Sequence, residues 1–93
     1  MSIRSFRCAD TEALFKGRRV KRMVNIEGAA MRKLAMLNRA ENLNDLRVPP
    51  GNRLEALKGD KAGLFSIRIN DQFRICFIWT ASGPEEVEIM DYH

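Results

Sequence analysis

The only histidine and the only tyrosine of this 93-residue sequence are neighbours, and with the carboxylate before them they form Asp91-Tyr92-His93, directly after an apolar run. A histidine shuttles protons near neutral pH, a tyrosine donates a hydrogen bond or stacks on a base, and a carboxylate orients or accepts. The same tripeptide also reads as a frayed terminus without a role. Arg68 and Arg74 flank Asn70-Asp71-Gln72. Their guanidinium groups either converge on a phosphate or are solvated strand residues paired with Glu88 or Asp91. Lys58, close after Glu55, either meets a transition-state phosphate while Glu55 handles a proton, or belongs to a plain charged turn, Lys58-Gly59-Asp60-Lys61. Arg18, Arg19, Lys21 and Arg22 put four cations in five residues, which serve as a solvated turn or as an electrostatic anchor for RNA.

Hydrophobic spacing indicates which elements position these groups. Ile3-Arg4-Ser5-Phe6-Arg7-Cys8 alternates with period two and predicts a half-buried strand. Asp10 is the expected N-cap of a brief helix that stops at Gly17, and Asn25 of a longer one reaching about Ala40, with Ile26, Ala30, Leu34 and Leu37 on its buried side and Arg32, Lys33 and Arg39 mostly opposite. Met31 and Met36 read as packing residues of that helix. Val48-Pro49-Pro50-Gly51 excludes further helix and forces a surface turn. Four runs then read as strands: 53–57, 64–69, 73–79 and 87–92. Their short, turn-rich connections predict an antiparallel meander. The expected order is β-α-α-β-β-β-β, an α+β fold with the helix pair on one face of a curved antiparallel sheet. The other face, marked by Ser66, Arg68, Arg74 and Glu88, is left for a partner.

Size and composition narrow the function classes. With 45% apolar residues the chain makes one domain, residues 1–93, too small for a deep multi-substrate cleft, so function sits on the surface. No run approaches the roughly 20 apolar residues that span a bilayer, and the start is not that of a signal peptide, so a cytoplasmic protein without membrane contact is expected. Cys8 and Cys76 are isolated and read as ordinary core residues, and with one histidine no zinc site is indicated. The net charge is +4, and its distribution is uneven. Residues 1–54 carry twelve Lys/Arg against five Asp/Glu, whereas residues 55–93 carry four against seven. Such a molecule can hold a phosphate backbone with one surface and offer another to a different partner. Helix-turn-helix spacing with a second recognition helix is not found, which argues against a sequence-specific DNA-binding domain.

Taken together, Ile3-Arg4-Ser5-Phe6, the block Leu54 to Asp60, the segment Ser66 to Phe77 and the closing Asp91-Tyr92-His93 resemble the HigB-type, RelE-like plasmid-maintenance killer proteins. The resemblance covers nearly the whole chain. It implies the RelE-like fold and a toxin that cleaves mRNA in the A site of the 70S ribosome. It further implies a HigA-type helix-turn-helix antitoxin, through which alone operator DNA is bound. Carried over by position, the site consists of Asp91, Tyr92 and His93, of Lys58 and of Arg74. Glu55 stands where some members have a histidine, which leaves the second proton-transfer group to Glu55, to a histidine-independent arrangement or to ribosomal RNA. Arg18, Arg19, Lys21, Arg22, Arg53 and Arg68 are the residues expected to hold RNA and ribosome. Neither metal nor cofactor is expected. The alternative is a non-catalytic module of the same fold that blocks the ribosome or represses transcription with its partner.

Overall fold

A computed structural model describes residues 2–91. Helix α1 (Ala9–Phe15) ends where Gly17, at φ +85°, lets the Gly17 and Arg18 amides turn back to the carbonyls of Leu14 and Ala13. A 3-10 turn, Lys21–Ile26, leads directly into α2 (Glu27–Arg39). Two short 3-10 turns, Leu43–Arg47 and Pro50–Asn52, carry the chain to β1 (Glu55–Ala56). β2 (Phe65–Arg68), β3 (Phe73–Thr80) and β4 (Gly83–Asp91) follow, and the four strands form one antiparallel sheet in the order β1-β2-β3-β4. The α+β class and the meander agree with the expectation from sequence.

The side-chain period of two sorts the strands into two faces. Ile67, Ile75, Phe77, Val87 and Ile89 are buried in one core cluster with Leu14 of α1 and with Ala30, Leu34 and Leu37 of α2. The helical spacing of the last three is the reason α2 packs there. Each of the Leu, Ile, Val and Phe side chains among them, taken from water, contributes about 1.5–3 kcal/mol. The opposite face carries Glu55, Ser66, Arg68, Arg74 and Glu88, as the registers Glu55↔Ser66, Arg68↔Arg74 and Cys76↔Glu88 require.

Four local expectations are corrected. Ile3 to Cys8 is not a regular strand: it makes one isolated parallel bridge, Phe6↔Val87, so the order begins with α1. Ile3 and Phe6 do pack on the core, while the Arg4 and Arg7 amides donate to the Pro84 and Val87 carbonyls and the Val87 amide to Ser5. Alternation therefore reports a half-buried segment lying along β4, not a full ladder. Asp10 is inside α1 and bonds Arg22 instead of capping, Cys8 occupying the cap position. Asn25 belongs to the 3-10 turn before α2, whose cap position is Ile26. The strand expected at 53–57 shrinks to two residues, because Arg53 is left-handed at φ +45° and breaks the extended chain.

Thr11 ties α1 to the sheet. Fully buried, its hydroxyl accepts the Ile89 amide at 3.0 Å. Thr11→Val keeps the shape but leaves that amide unpaired. Urea denaturation is expected to show a loss of about 1–3 kcal/mol, against which an unchanged midpoint would count. Among the described residues no helix is long and apolar enough to cross a membrane.

Candidate functional site

At the end of the sheet where β2 turns into β3, Arg53, Glu55, Arg68, Asn70, Asp71 and Arg74 line an open cleft of about 300 Å³. Arg68 and Arg74 are directly opposed across β2 and β3. Like charges so placed repel, and an arrangement of this kind persists only with compensation. Two carboxylates provide it. Arg68 is paired with Asp71 of the connecting turn, and Arg74 Nη2 lies 3.6 Å from Glu55 Oε1. The pairing alternatives read from sequence, Glu88 and Asp91, are thus replaced by Asp71 and Glu55.

Arg74 departs from the sequence reading in a second way. It is 8% exposed, and two of its nitrogens, Nε and Nη2, are engaged within the corner of the sheet. Nε donates to Ser66 Oγ at 2.8 Å, and Nη2 to the Arg53 carbonyl at 2.6 Å and the Ser66 carbonyl at 3.4 Å. Ser66, fully buried in a strand that otherwise favours apolar residues, has this diagonal cross-strand contact as its local reason. A buried guanidinium is tolerable only when so satisfied.

The remaining residues fall at graded distances from the cleft. Asn70 Oδ1 accepts the amides of Gln72 and Phe73, each at 2.8 Å, a side-chain turn that fixes the β2–β3 connection. Gln72 Nε2 reaches over to Asp91 Oδ2 at 3.0 Å, which brings the end of β4 to the same end of the sheet. Tyr92 and His93 fall outside the described residues. Lys58 sits on the exposed turn after β1, where its carbonyl accepts the Lys61 amide, and it is not one of the cleft-lining residues.

Arg18, Arg19, Lys21 and Arg22 are exposed and line a separate hollow of about 430 Å³ with Asp10. Arg22 also lines a third, with Asn25, Ile26, Asn70, Gln72 and Phe73, and Asn70 is shared in turn with the arginine cleft. The three hollows thus adjoin in series, a basic path of the kind that follows a phosphate backbone. Among the described residues no group of three or more potential metal ligands is present.

Two contributors were missed in the sequence. Lys33, read as lying mostly on the solvent side of α2, donates Nζ to the buried Asn52 side chain, whose own amide bonds the Leu46 carbonyl at 3.1 Å. This braces the corner next to Arg53. Burial, with Arg32 and Arg68 nearby, pushes the Lys33 pKa down. Its only sequence signal is a position at the edge of the helix's polar face. Cys8 is half-buried, and Arg22 Nη2 lies 3.6 Å from its sulfur. Burial raises the thiol, but the Thr11 amide and hydroxyl, the Asp10 amide and the Arg22 charge outweigh it and lower the pKa. The thiolate is the nucleophile, so iodoacetamide at neutral pH is expected to modify Cys8 well ahead of buried Cys76, as peptide mass mapping would read.

Residues 5–93 match a family model described as RelE-like toxin of type II toxin-antitoxin system HigB. Toxin HigB-1 of Vibrio cholerae serotype O1 is 51% identical over 55 residues, 59% of this chain and 58% of that protein. An uncharacterized protein of Haemophilus influenzae is 43% identical over 53 residues, 57% of this chain and 52% of that one. The chain thus spans between about half and three-fifths of the length of these curated relatives. The solved YoeB/ParE toxin from Agrobacterium tumefaciens aligns over 100% of both chains with a TM-score of 0.53 at 23% identity, a likeness of fold.

Proposed function

The chain belongs to the HigB family of RelE-like toxins of type II toxin-antitoxin systems, and from that premise we propose that it is an endoribonuclease that cuts mRNA in the ribosomal A site. The observation that carries this reading is the arginine cleft at the β2–β3 end of the sheet, with a carboxylate, Glu55, on its wall. Positive charge held at fixed positions, with an ionisable group beside it, is what in-line phosphoryl chemistry on RNA requires.

In the proposed reaction the RNA 2′-oxygen loses its proton and attacks the adjacent phosphorus. The new O2′–P bond forms as the bond from phosphorus to the 5′-oxygen breaks, and the 5′-oxygen takes up a proton. The products are a 2′,3′-cyclic phosphate and a 5′-hydroxyl, so neither water nor a metal enters the balance. His93 and Glu55 are the candidates for the two proton transfers. Tyr92 stacks on or orients the nucleotide, Asp91 orients its neighbours, and Lys58 and Arg74 stabilise the charge developing on phosphate. Arg18, Arg19, Lys21, Arg22, Arg53 and Arg68 dock on mRNA and ribosomal RNA, which places the activity in the cytoplasm.

The toxin class implies an antitoxin partner. We assign it to the helix-turn-helix, HigA type, with operator DNA contacted through that partner.

The test is primer extension on a cellular mRNA after brief induction. Discrete in-frame cuts are expected. Growth arrest without cuts would overturn the nuclease reading in favour of ribosome blockade by binding alone, and promoter repression without arrest would favour a co-repressor.

A further inference from the structure

We propose that Arg74 is a positioning residue, and that the guanidinium meeting the scissile phosphate from this corner of the sheet is that of Arg53, assisted by Arg68. This deepens the nuclease reading by reassigning Arg74 from direct contact with the phosphate to support of Arg53 and Glu55, and it rests on that reading for the identity of the phosphate as one in RNA.

The division of labour follows from where the donors point. Arg74 is buried to 8% exposure, with Nε on the Ser66 hydroxyl and Nη2 shared between the Arg53 and Ser66 carbonyls, beside Glu55. Turning it to a phosphate would strip a fully buried serine hydroxyl and the Arg53 carbonyl of their partner, which buried polar groups resist. Arg53 is the converse. It is exposed and lines the cleft, and among the described residues no hydrogen bond or ion pair engages its guanidinium. Its backbone is left-handed, φ +45° and ψ +56°, a conformation that a side chain of this size adopts only where the surroundings enforce it.

Those surroundings are identifiable. The Arg53 amide bonds the Pro50 carbonyl at 3.1 Å, the preceding residue, buried Asn52, is anchored to the Leu46 carbonyl, and Arg74 holds the Arg53 carbonyl at 2.6 Å. Arg74 thereby sets both Arg53 and the adjacent Glu55, one cation and one proton-transfer candidate, from beneath. A strained corner gripped by a buried cation, with an unengaged cation projecting beside it, is the arrangement expected of a preorganised anion contact.

The first test needs no ribosome. In an ¹⁵N-labelled full chain titrated with inorganic phosphate, the Arg53 and Arg68 Nε–H signals are expected to shift along one binding curve. The Arg74 Nε–H should exchange slowly with solvent and stay in place. An Arg74 signal that moves with phosphate while Arg53 does not would overturn the proposal.

The second test is a double-mutant cycle in ribosomal cleavage, using Arg74→Lys, which retains a buried charge, in case Arg74→Met fails to fold. Arg53→Ala is expected to lower the cleavage rate about 10- to 100-fold and Arg74→Lys about 10-fold, both more in kcat than in KM. The pair together should lose clearly less than the product of the two single effects, the remainder reflecting the hold of Arg74 on Glu55. Effects that multiply would mean two independent phosphate contacts and would sink the idea. If the wild type fails to cut, the nuclease reading is lost, and the phosphate titration still decides this one.

Discussion

Stripped of ribosomes, the purified toxin is expected to cut the same transcript at least about a thousandfold more slowly. The cleft is open and shallow, one of its arginines is partly neutralised by a fully solvated aspartate, and Asp71 and Glu55 both repel an approaching phosphate. Holding the 2′-oxygen, phosphorus and leaving oxygen in line is worth up to about 7–11 kcal/mol in well-positioned systems. Six side chains around an open hollow do not hold a flexible strand that firmly. In the proposed function the missing alignment comes from the decoding site of the ribosome, with the basic path from Arg18 to Arg22 as the proposed docking surface. The measurement is release of 2′,3′-cyclic phosphate ends from one transcript, with and without 70S ribosomes. Comparable rates in both would mean that the protein aligns the RNA by itself.

His93→Ala is the substitution expected to cost most within the chain, about 10²- to 10⁴-fold in ribosomal cleavage, the usual worth of a positioned proton donor or acceptor. Glu55→Gln should cost less if ribosomal RNA shares the second transfer. Both effects should appear in kcat, because neither group is needed to bring the toxin to the ribosome. Matched protein levels and retained antitoxin binding separate lost chemistry from lost folding. Discrete in-frame cuts that persist in His93→Ala at wild-type intensity would remove His93 from the mechanism.

The sheet was legible because its strands obey two simple rules at once: alternation and short polar turns. Asn70-Asp71-Gln72 is a turn because Asn70 can bond two amides ahead, and that chemistry is visible in the residue type. The helical stripe of Ala30, Leu34 and Leu37 was equally direct. Ile3 to Cys8 misled because alternation measures burial on one side and is silent about hydrogen-bond partners, of which the segment finds only a few on β4. Asp10 and Asn25 have side chains suited to capping, but Asp10 is drawn to Arg22, a contact that no local pattern encodes. In the cleft, the meeting of Arg68 and Arg74 followed from counting positions across the turn. The burial of Arg74 did not, because it depends on Ser66 of β2 and on the left-handed Arg53 and nearby Glu55 arriving together from two other segments of the chain.

The segment before α1, laid along β4, also bears on when the toxin becomes complete. The Glu86 amide bonds the Ser5 hydroxyl across 81 positions, and Ile89 reaches Thr11 across 78. During synthesis the first residues emerge long before their partners exist. Contacts of such separation form late, since the loop they close must be ordered first. A nascent chain therefore has α1 and α2 available while Arg74 and Ser66 still await β4 and the amino-terminal segment that finish their sheet. The proposed site is accordingly unfinished for as long as β4 is unmade, so a nascent chain would lack the activity proposed for the completed one.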